Sequence, residues 1–531
     1  MPPSVKDLKA RRAQAEREWN LFKPLYDEAY DFAIPYRRGL TYGPRGEKRV
    51  DRTFDMTAIT SAFRFAGKLQ QDLCPPGETW LKLEPGPLVP EGAERNQLAR
   101  ELEVISRQAN AMFMTGDWDL AFHEMGLDLA AGTGAMVIDD APPLWRNRGK
   151  IATFAAVPSE EVLLEPGLFG DVGGVFWKRK FAARLLRSKW PKGKFSDRLA
   201  RIIETKPNDE VEISQDLTLD YETGIRHFVV YHCEDEAPIY TREYRASPWL
   251  TPRYFRVPGE TWGRGPILLA MPAIKTLNKA QELTLKAAAI TMLGIYTAAD
   301  DGVFNPATAV VAPGQFWKVR SNGGTLGPTI SRLPEPRIDL TQIVLNELRM
   351  SVQGAMMDQS LPPDGAAVRS ATEILERVKR LASDHVGAFG RLVHEIVLPA
   401  GERALEIAYD AKIITVDIGI DQLLVKTRVT SPIAVARYAA QAQNSVEYAT
   451  IVRGLMSAPP GSMEDLVLDK IPLLEDIGRG LGVPERHLVS PQRRQEIQEQ
   501  VKALVAQAMA TAQLAAAQQQ GGQPPTPGAP A

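Results

Sequence analysis

A Gly-rich turn with one tryptophan runs straight into a long helical pattern at residues 259–297, GETWGRGPILLAMPAIKTLNKAQELTLKAAAITMLGIYT. Pro266 stands at the first helical position, where its missing N–H costs nothing. Lys275, Lys279, Glu282 and Lys286 fall at i, i+4, i+7 and i+11, so four charges share one stripe of a helix. Ile267, Ile274 and Leu277 begin a separate apolar stripe. Such a helix packs on one side and meets water, or a charged polymer, on the other. The stretch holds no nucleophile, base or ligand cluster and reads as a strut.

The 531 residues suffice for about two to four domains with a sizeable core. Hydrophobic residues make up 44% and charged residues 24%, as in ordinary soluble proteins. A net charge of −2 argues against a chain-wide electrostatic nucleic-acid binder but leaves local stripes open. Cys74 and Cys233 are the only cysteines, so a disulfide framework is not expected and a reducing compartment is. No run of 18 apolar residues occurs, and no membrane span or membrane partner is expected. The charged start MPPSVKDLKARRAQAEREW lacks the apolar centre of a secretory signal, which points to the cytosol.

The expected fold class is α+β, mostly α-helical. Ser4 with Asp7 forms a capping-box pattern before a helix over about 4–32. Residues 35–52 form a basic loop, and 55–73 are helical again. Thr79–Leu83 alternates as a short strand, and 92–115 and 117–134 are two further helices. Short alternating runs at 226–233, 239–245 and 254–257 predict strands, so 1–257 reads as one α+β unit or two fused ones. After the helix at 266–293 comes a Gly/Pro-rich module to about 336, then a helix at 338–357 and a breaker, QSLPPDG, at 359–365. A second long helix is predicted over 370–398, roughly 43 Å at about 1.5 Å per residue, with Pro399 helping to end it. Strands follow within 412–429 and helices at 432–456 and 490–519. The tail 521–531 is Gly/Pro low-complexity and reads as disordered.

Several patterns hint at chemistry and fall short of it. Gly132-Thr133-Gly134 resembles a phosphate loop, but Val137 replaces the third glycine and no Walker lysine motif follows. The better reading is close packing at a helix. His227 and His232 point to opposite faces of a strand, so with Cys233 they make a partly exposed strand and no metal site. His394-Glu395 lacks a second histidine at i+4, and Glu160-Glu161 and Glu234-Asp235-Glu236 lack a partnered base. No enzyme, cofactor, catalytic residue or metal site is expected. Two features resist the bland reading: the charged stripe at 275–286, and the breaker 359–369, Pro-stiffened between two helices and carrying Asp364, Gly365 and Arg369.

The order of parts resembles the head-to-tail connector, or portal, proteins of short-tailed bacteriophages (podoviruses), from about Leu8 to about 515. Four segments carry it: the N-terminal helix followed by Ile34-Pro35; Leu73-Cys74-Pro75-Pro76-Gly77-Glu78-Thr79-Trp80-Leu81-Lys82-Leu83; Gly259-Glu260-Thr261-Trp262-Gly263-Arg264-Gly265 with the helix behind it; and Arg369-Ser370-Ala371-Thr372-Glu373-Ile374.

The resemblance implies a viral portal fold with wing, stem, clip and crown, assembled as a homo-oligomeric ring, typically of twelve subunits, at one capsid vertex of the virion after assembly in the host cytoplasm. Carried onto this chain, 1–265 is the wing, 266–293 and 338–358 the stem helices, and 294–337 the clip. Residues 359–369 are the tunnel loop, 370–431 the long helix and return strands of the wing, 432–515 the crown and 516–531 a disordered tail. Double-stranded DNA passes without regard to sequence. The other implied partners are the terminase large subunit, the major capsid and scaffolding proteins, and tail adaptor proteins. Lys275, Lys279, Glu282 and Lys286 are the stem candidates for the channel, and Gln359, Asp364 and Arg369 those of the tunnel loop. Mixed charge suits sliding, because a strongly basic bore binds phosphate tightly through counterion release. The competing readings are another virion structural protein, such as a scaffold or tail component without a DNA channel, and a nucleotide hydrolase using the Gly132 region.

Overall fold

The structure is a computed structural model, which describes residues 2–37, 53–90, 93–146, 149–293, 296–298, 330–332, 338–358, 386–414, 424–429 and 499. The helices before the strut are α1 (Val5–Ala33), α2 (Thr57–Leu73), α3 (Ala93–Thr115), α4 (Trp118–Ala131), the single turn α5 (Pro143–Arg146), α6 (Ala183–Lys189) and α7 (Asp197–Thr205). Then come α8 (Pro266–Leu293) and α9 (Ile338–Ala355). The strands are β1 (Leu81–Pro85), β2 (Met136–Asp140), β3 (Ala152–Ala156), β4 (Val162–Pro166), β5 (Val172–Ala182), β6 (Glu210–Leu219), β7 (Arg226–His232), β8 (Pro238–Tyr244), β9 (Trp249–Leu250), β10 (Tyr296–Ala298), β11 (Ile330–Arg332) and β12 (Val425–Val429). This is an α+β architecture.

The chain divides into two compact units, Met1–Pro76 with Phe113–Ile407, and Gly77–Met112 with Ala408–Ala531. Gly77–Met112 thus groups with the C-terminal part of the chain. In that second unit β1 pairs antiparallel with β12, Leu81 opposite Val429. Side chains of α3 also serve β1. Leu83 N donates to Ser106 Oγ at 2.8 Å, and Asn110 Nδ2 donates to Leu81 O at 2.6 Å. Two polar side chains thus satisfy backbone groups that would otherwise be buried without partners.

In the first unit an antiparallel sheet runs β4-β5-β6-β7-β8, beside a smaller sheet β3-β2-β9. One face of the larger sheet is covered by α6 and α7, whose Leu186, Leu199 and Ile203 pack with Val211, Ile213 and Val230. On α1, Arg12 donates to Ser214 Oγ and Lys9 lies over the Tyr231 ring. Covering both faces corrects the partly exposed strand expected around His227 and His232. Both histidines are buried, His227 beside Glu243 and His232 beside Asp235. Alternation along β7 gives their opposite directions but not what lies over each face.

Ser4 caps α1 by accepting from Asp7 N while its hydroxyl donates to the Asp7 carboxylate at 2.5 Å. Residues 254–257 are not a strand: only an isolated bridge joins Phe255 to Arg264. The long helix expected to end at Pro399 does not end there. Its described part runs as Val386–Leu392, a π-turn Val393–Val397, and Leu398–Asp410. The wide turn lets Leu398 N bond Val393 O and places Pro399 in the first turn of the following segment, where a missing N–H is tolerated. Arg253 ties the turn down, its backbone N–H and guanidinium both reaching Glu395, at 2.7 and 2.6 Å. The expectations for 38–52, 359–385, 415–423, 432–498 and 500–531, and for most of 294–337, lie outside the described residues.

Candidate functional site

The strut is α8, 28 residues and about 42 Å long, whose two halves have different surroundings. At its start the chain is pressed against the end of α4. A Cβ on Gly132 would lie 2.2 Å from Gly263 O, one on Gly263 2.4 Å from Gly132 O, and one on Gly265 2.1 Å from Ala130 O. Only glycine permits backbones to approach this closely. Hydrogen bonds then close the junction: Gly265 N donates to Ala131 O and Tyr254 N to Gly132 O, both at 2.9 Å.

Thr133 is the centre of that junction. Its hydroxyl accepts from Gly263 N at 2.8 Å and lies 2.9 Å from Tyr26 Oη, which donates to Gly263 O at 2.7 Å. Trp262 is fully buried between Trp19 and Tyr26, with ring centroids 4.2 and 5.7 Å away. Burial pushes the Tyr26 phenol well above its ordinary value, so it stays a neutral donor. The Gly132-Thr133-Gly134 run, similar to a phosphate loop by sequence, is thus a structural seat for the turn 259–265.

Along α8, Ile267, Ala270, Met271, Ile274 and Leu277 are buried. From Asn278 to Ala289 no residue is buried, and Leu283 and Leu285 are about half exposed. The partner helix α9 buries Leu345, Val352 and Met356 but leaves Ile343, Val344 and Met350 in the open. Beyond the helices β10 and β11 pair antiparallel, Tyr296 opposite Arg332. The two helices are thus legs of one long excursion.

All four charges of the stripe are ion-paired. Lys275 meets Glu28 of α1 at 2.6 Å. Glu282 is held between Lys279 at 3.0 Å and Lys286 at 2.5 Å, and hydrogen bonds from Lys286 and then Lys279 lower its pKa. Lys279 and Lys286 are solvent-exposed. The stripe therefore presents alternating charge rather than a row of free cations. Of the stem residues the sequence singled out, Lys279, Glu282 and Lys286 are brought together, and Lys275 is drawn to a different helix. Gln359, Asp364 and Arg369 lie outside the described residues.

Sequence reasoning missed the base of the helix pair. Arg349 of α9 binds Asp55 at 2.9 Å, and Asn278 Oδ1 of α8 accepts from Phe54 N at 2.7 Å. Asp358 accepts from Ser61 at 2.7 Å and from Arg64 at 3.1 Å. Burial alone would raise the Asp55 carboxyl, but hydrogen bonds from Thr57 and Arg349 outweigh it and hold it below the usual range. No local pattern announces these contacts, because the partners stand more than 200 residues apart in sequence.

The structure thus joins a long helix pair, α8 and α9, to an α+β body and leaves large apolar side chains exposed along the pair. The chain belongs to the family of bacteriophage head to tail connecting proteins, which matches residues 5–489. None of the curated proteins compared with it matches. One similar solved structure is a chain from the neck of an empty GTA particle computed with C6 symmetry. It is 13% identical, with a TM-score of 0.32, over 78% of this chain and 95% of that one. At that score the likeness carries no argument.

Proposed function

We propose that this chain is a portal subunit, one of a closed ring of twelve, at a single vertex of a short-tailed phage capsid. Genomic DNA is packaged and ejected through the ring, with α8 and α9 as the stem wall. The observation that carries this reading is the set of large apolar side chains left exposed along the helix pair: Leu283, Leu285, Ile343, Val344 and Met350. Large apolar side chains left exposed on several sides of a helix pair suit a subunit with neighbours on both sides, and a head-to-tail repeat covers them in every copy. The alternating Lys279, Glu282 and Lys286 suit a wall that DNA slides past, since few free cations means weak phosphate binding.

In this reading 294–337 is the clip, which docks the terminase large subunit during filling and tail adaptor proteins afterwards. Residues 359–369, with Gln359, Asp364 and Arg369, are the tunnel loop, and 432–515 the crown. The portal hydrolyses nothing itself. Replacing Leu283→Glu together with Val344→Glu tests the assembly claim. Light scattering should then show loss of the high-mass species while the protomer's circular dichroism stays that of wild type. Unchanged assembly in this double variant overturns the assignment of those side chains. Deletion of 360–368 should leave assembly intact and shorten the retained genome, and a packaged genome of normal length would sink the loop's role.

A further inference from the structure

A second surface of the first unit has a charge character that the connector reading does not use. In a chain of net charge −2, residues 178–194 contain eight lysines and arginines and no acidic residue: KRKFAARLLRSKWPKGK. They span the end of β5, the whole of α6 and the loop beyond it. Ala183, Leu186 and Trp190 face inward and belong to the core under α6, while Leu185 stays exposed among the cations. The cations face out: Arg179, Lys180, Arg184, Lys189, Lys192 and Lys194 are all exposed. Among the described residues none of these six forms an ion pair.

Two of them are held in place without a carboxylate. Lys189 Nζ lies 4.8 Å from the Phe181 ring centre, 5.2 Å from Trp190 and 6.0 Å from Trp177. Arg179 lies over the Trp177 and Phe181 rings at 5.4 and 5.3 Å. Cations fixed on aromatic faces keep their N–H donors free for an outside acceptor. The packing around the Lys189 ammonium lowers its pKa, with the Asp139 carboxylate pulling the other way. The cores of protein–protein interfaces are aromatic and poor in lysine. Here the tryptophans are buried beneath and lysines and arginines form the outside, the composition of a surface that neutralises phosphates.

We infer that the surface formed by Arg179, Arg184, Lys189, Lys192 and Lys194 binds the phosphate backbone of duplex DNA, without reading sequence, at a place separate from the α8–α9 pair. The inference rests on charge placement in one subunit and does not require the ring.

The test is fluorescence anisotropy of a labelled 30-base-pair duplex against the full chain, over a range of salt. Two variants are compared with wild type. Arg184→Gln, Lys192→Gln and Lys194→Gln together leave the aromatic-held cations alone. Arg17→Gln, Arg100→Gln and Arg107→Gln together remove as many exposed cations elsewhere. The first triple should weaken binding at least ~10-fold near 0.1 M salt and flatten the log–log salt slope by about 2–3, roughly one for each phosphate no longer neutralised. The second should stay within about twofold of wild type, since its cations neutralise no phosphate. Equal weakening in both triples, or no binding by the wild-type chain, overturns the inference. Competition by poly-glutamate as effective as by unlabelled duplex also overturns it, and reassigns the surface to an acidic protein partner.

Discussion

Helix α8 begins where backbone meets backbone and continues, from Asn278 to Ala289, where none of its residues is buried. At Gly132, Gly263 and Gly265 there is no room for one carbon atom. Sixteen residues after Gly263, Lys279 and Lys286 share Glu282 in open solvent. The first region fixes where the helix starts and in what direction; the second leaves its surface chemistry free to serve an assembly. One helix is therefore closely packed at its base and open along its length, which suits the wall element proposed for it.

The largest expected effect breaks the seated end. Gly263→Ala or Gly132→Ala sets a Cβ against a backbone carbonyl, so the cost should reach or pass the upper end of the usual overpacking range, about 1–3 kcal/mol. Chemical denaturation should show this, or the variants should fail to accumulate as folded protein; wild-type stability in both would refute the seat. Thr133→Val should be milder, about 1–3 kcal/mol, because Gly263 N–H loses its acceptor inside the protein while the shape is kept. A cost under a few tenths of a kcal/mol would mean that water reaches the junction.

Acidity sharpens the contrast further. Burial pushes Asp72, Asp128 and Asp216 each up to about 6. An unfolded aspartate titrates near 3.9. The fold thus favours their protonated form, a contribution complete below about pH 4 and lost as pH rises through about 6. Asp55 has the opposite sign: its pKa is held down, so its contribution persists until pH falls below the usual aspartate range. From these groups the melting temperature should accordingly be highest near pH 4, fall as pH rises from about 4 to 6, and level off toward neutrality. A steady rise from pH 5 to 7.5 contradicts this. The smallest effect belongs to the open half of α8. Lys279→Gln with Lys286→Gln should leave the melting temperature of the protomer where it is, because exposed ion pairs contribute little; a clear drop would show that the stripe holds the fold.

Legibility in the sequence follows the same division. Periodicity finds α1, α2, α3, α8 and α9 to within a few residues, since an amphipathic helix writes its packing into its own spacing. It misjudges Pro399, because a helix can widen into a π-turn before a proline when a neighbour such as Arg253 holds the turn. It puts a strand at 254–257 where Arg264 supplies one bridge, and cannot tell that both faces of β7 are covered. For the candidate site, Gly132-Thr133-Gly134 and Gly263-Arg264-Gly265 both stand out as unusual, yet nothing local says that each glycine is required by the other. The charges of the stripe are legible; the Glu28 partner of Lys275 is not, being a tertiary contact.

The central claim is that the apolar side chains exposed along the α8–α9 pair are covered by further copies of the same chain. Negative-stain imaging of the purified full-length protein at high concentration, with rotational averaging, tests it most directly. Closed rings with a central hole, each of one fixed subunit number, are the expected result. A persistent monomer, or open filaments with no closed ring, would contradict it.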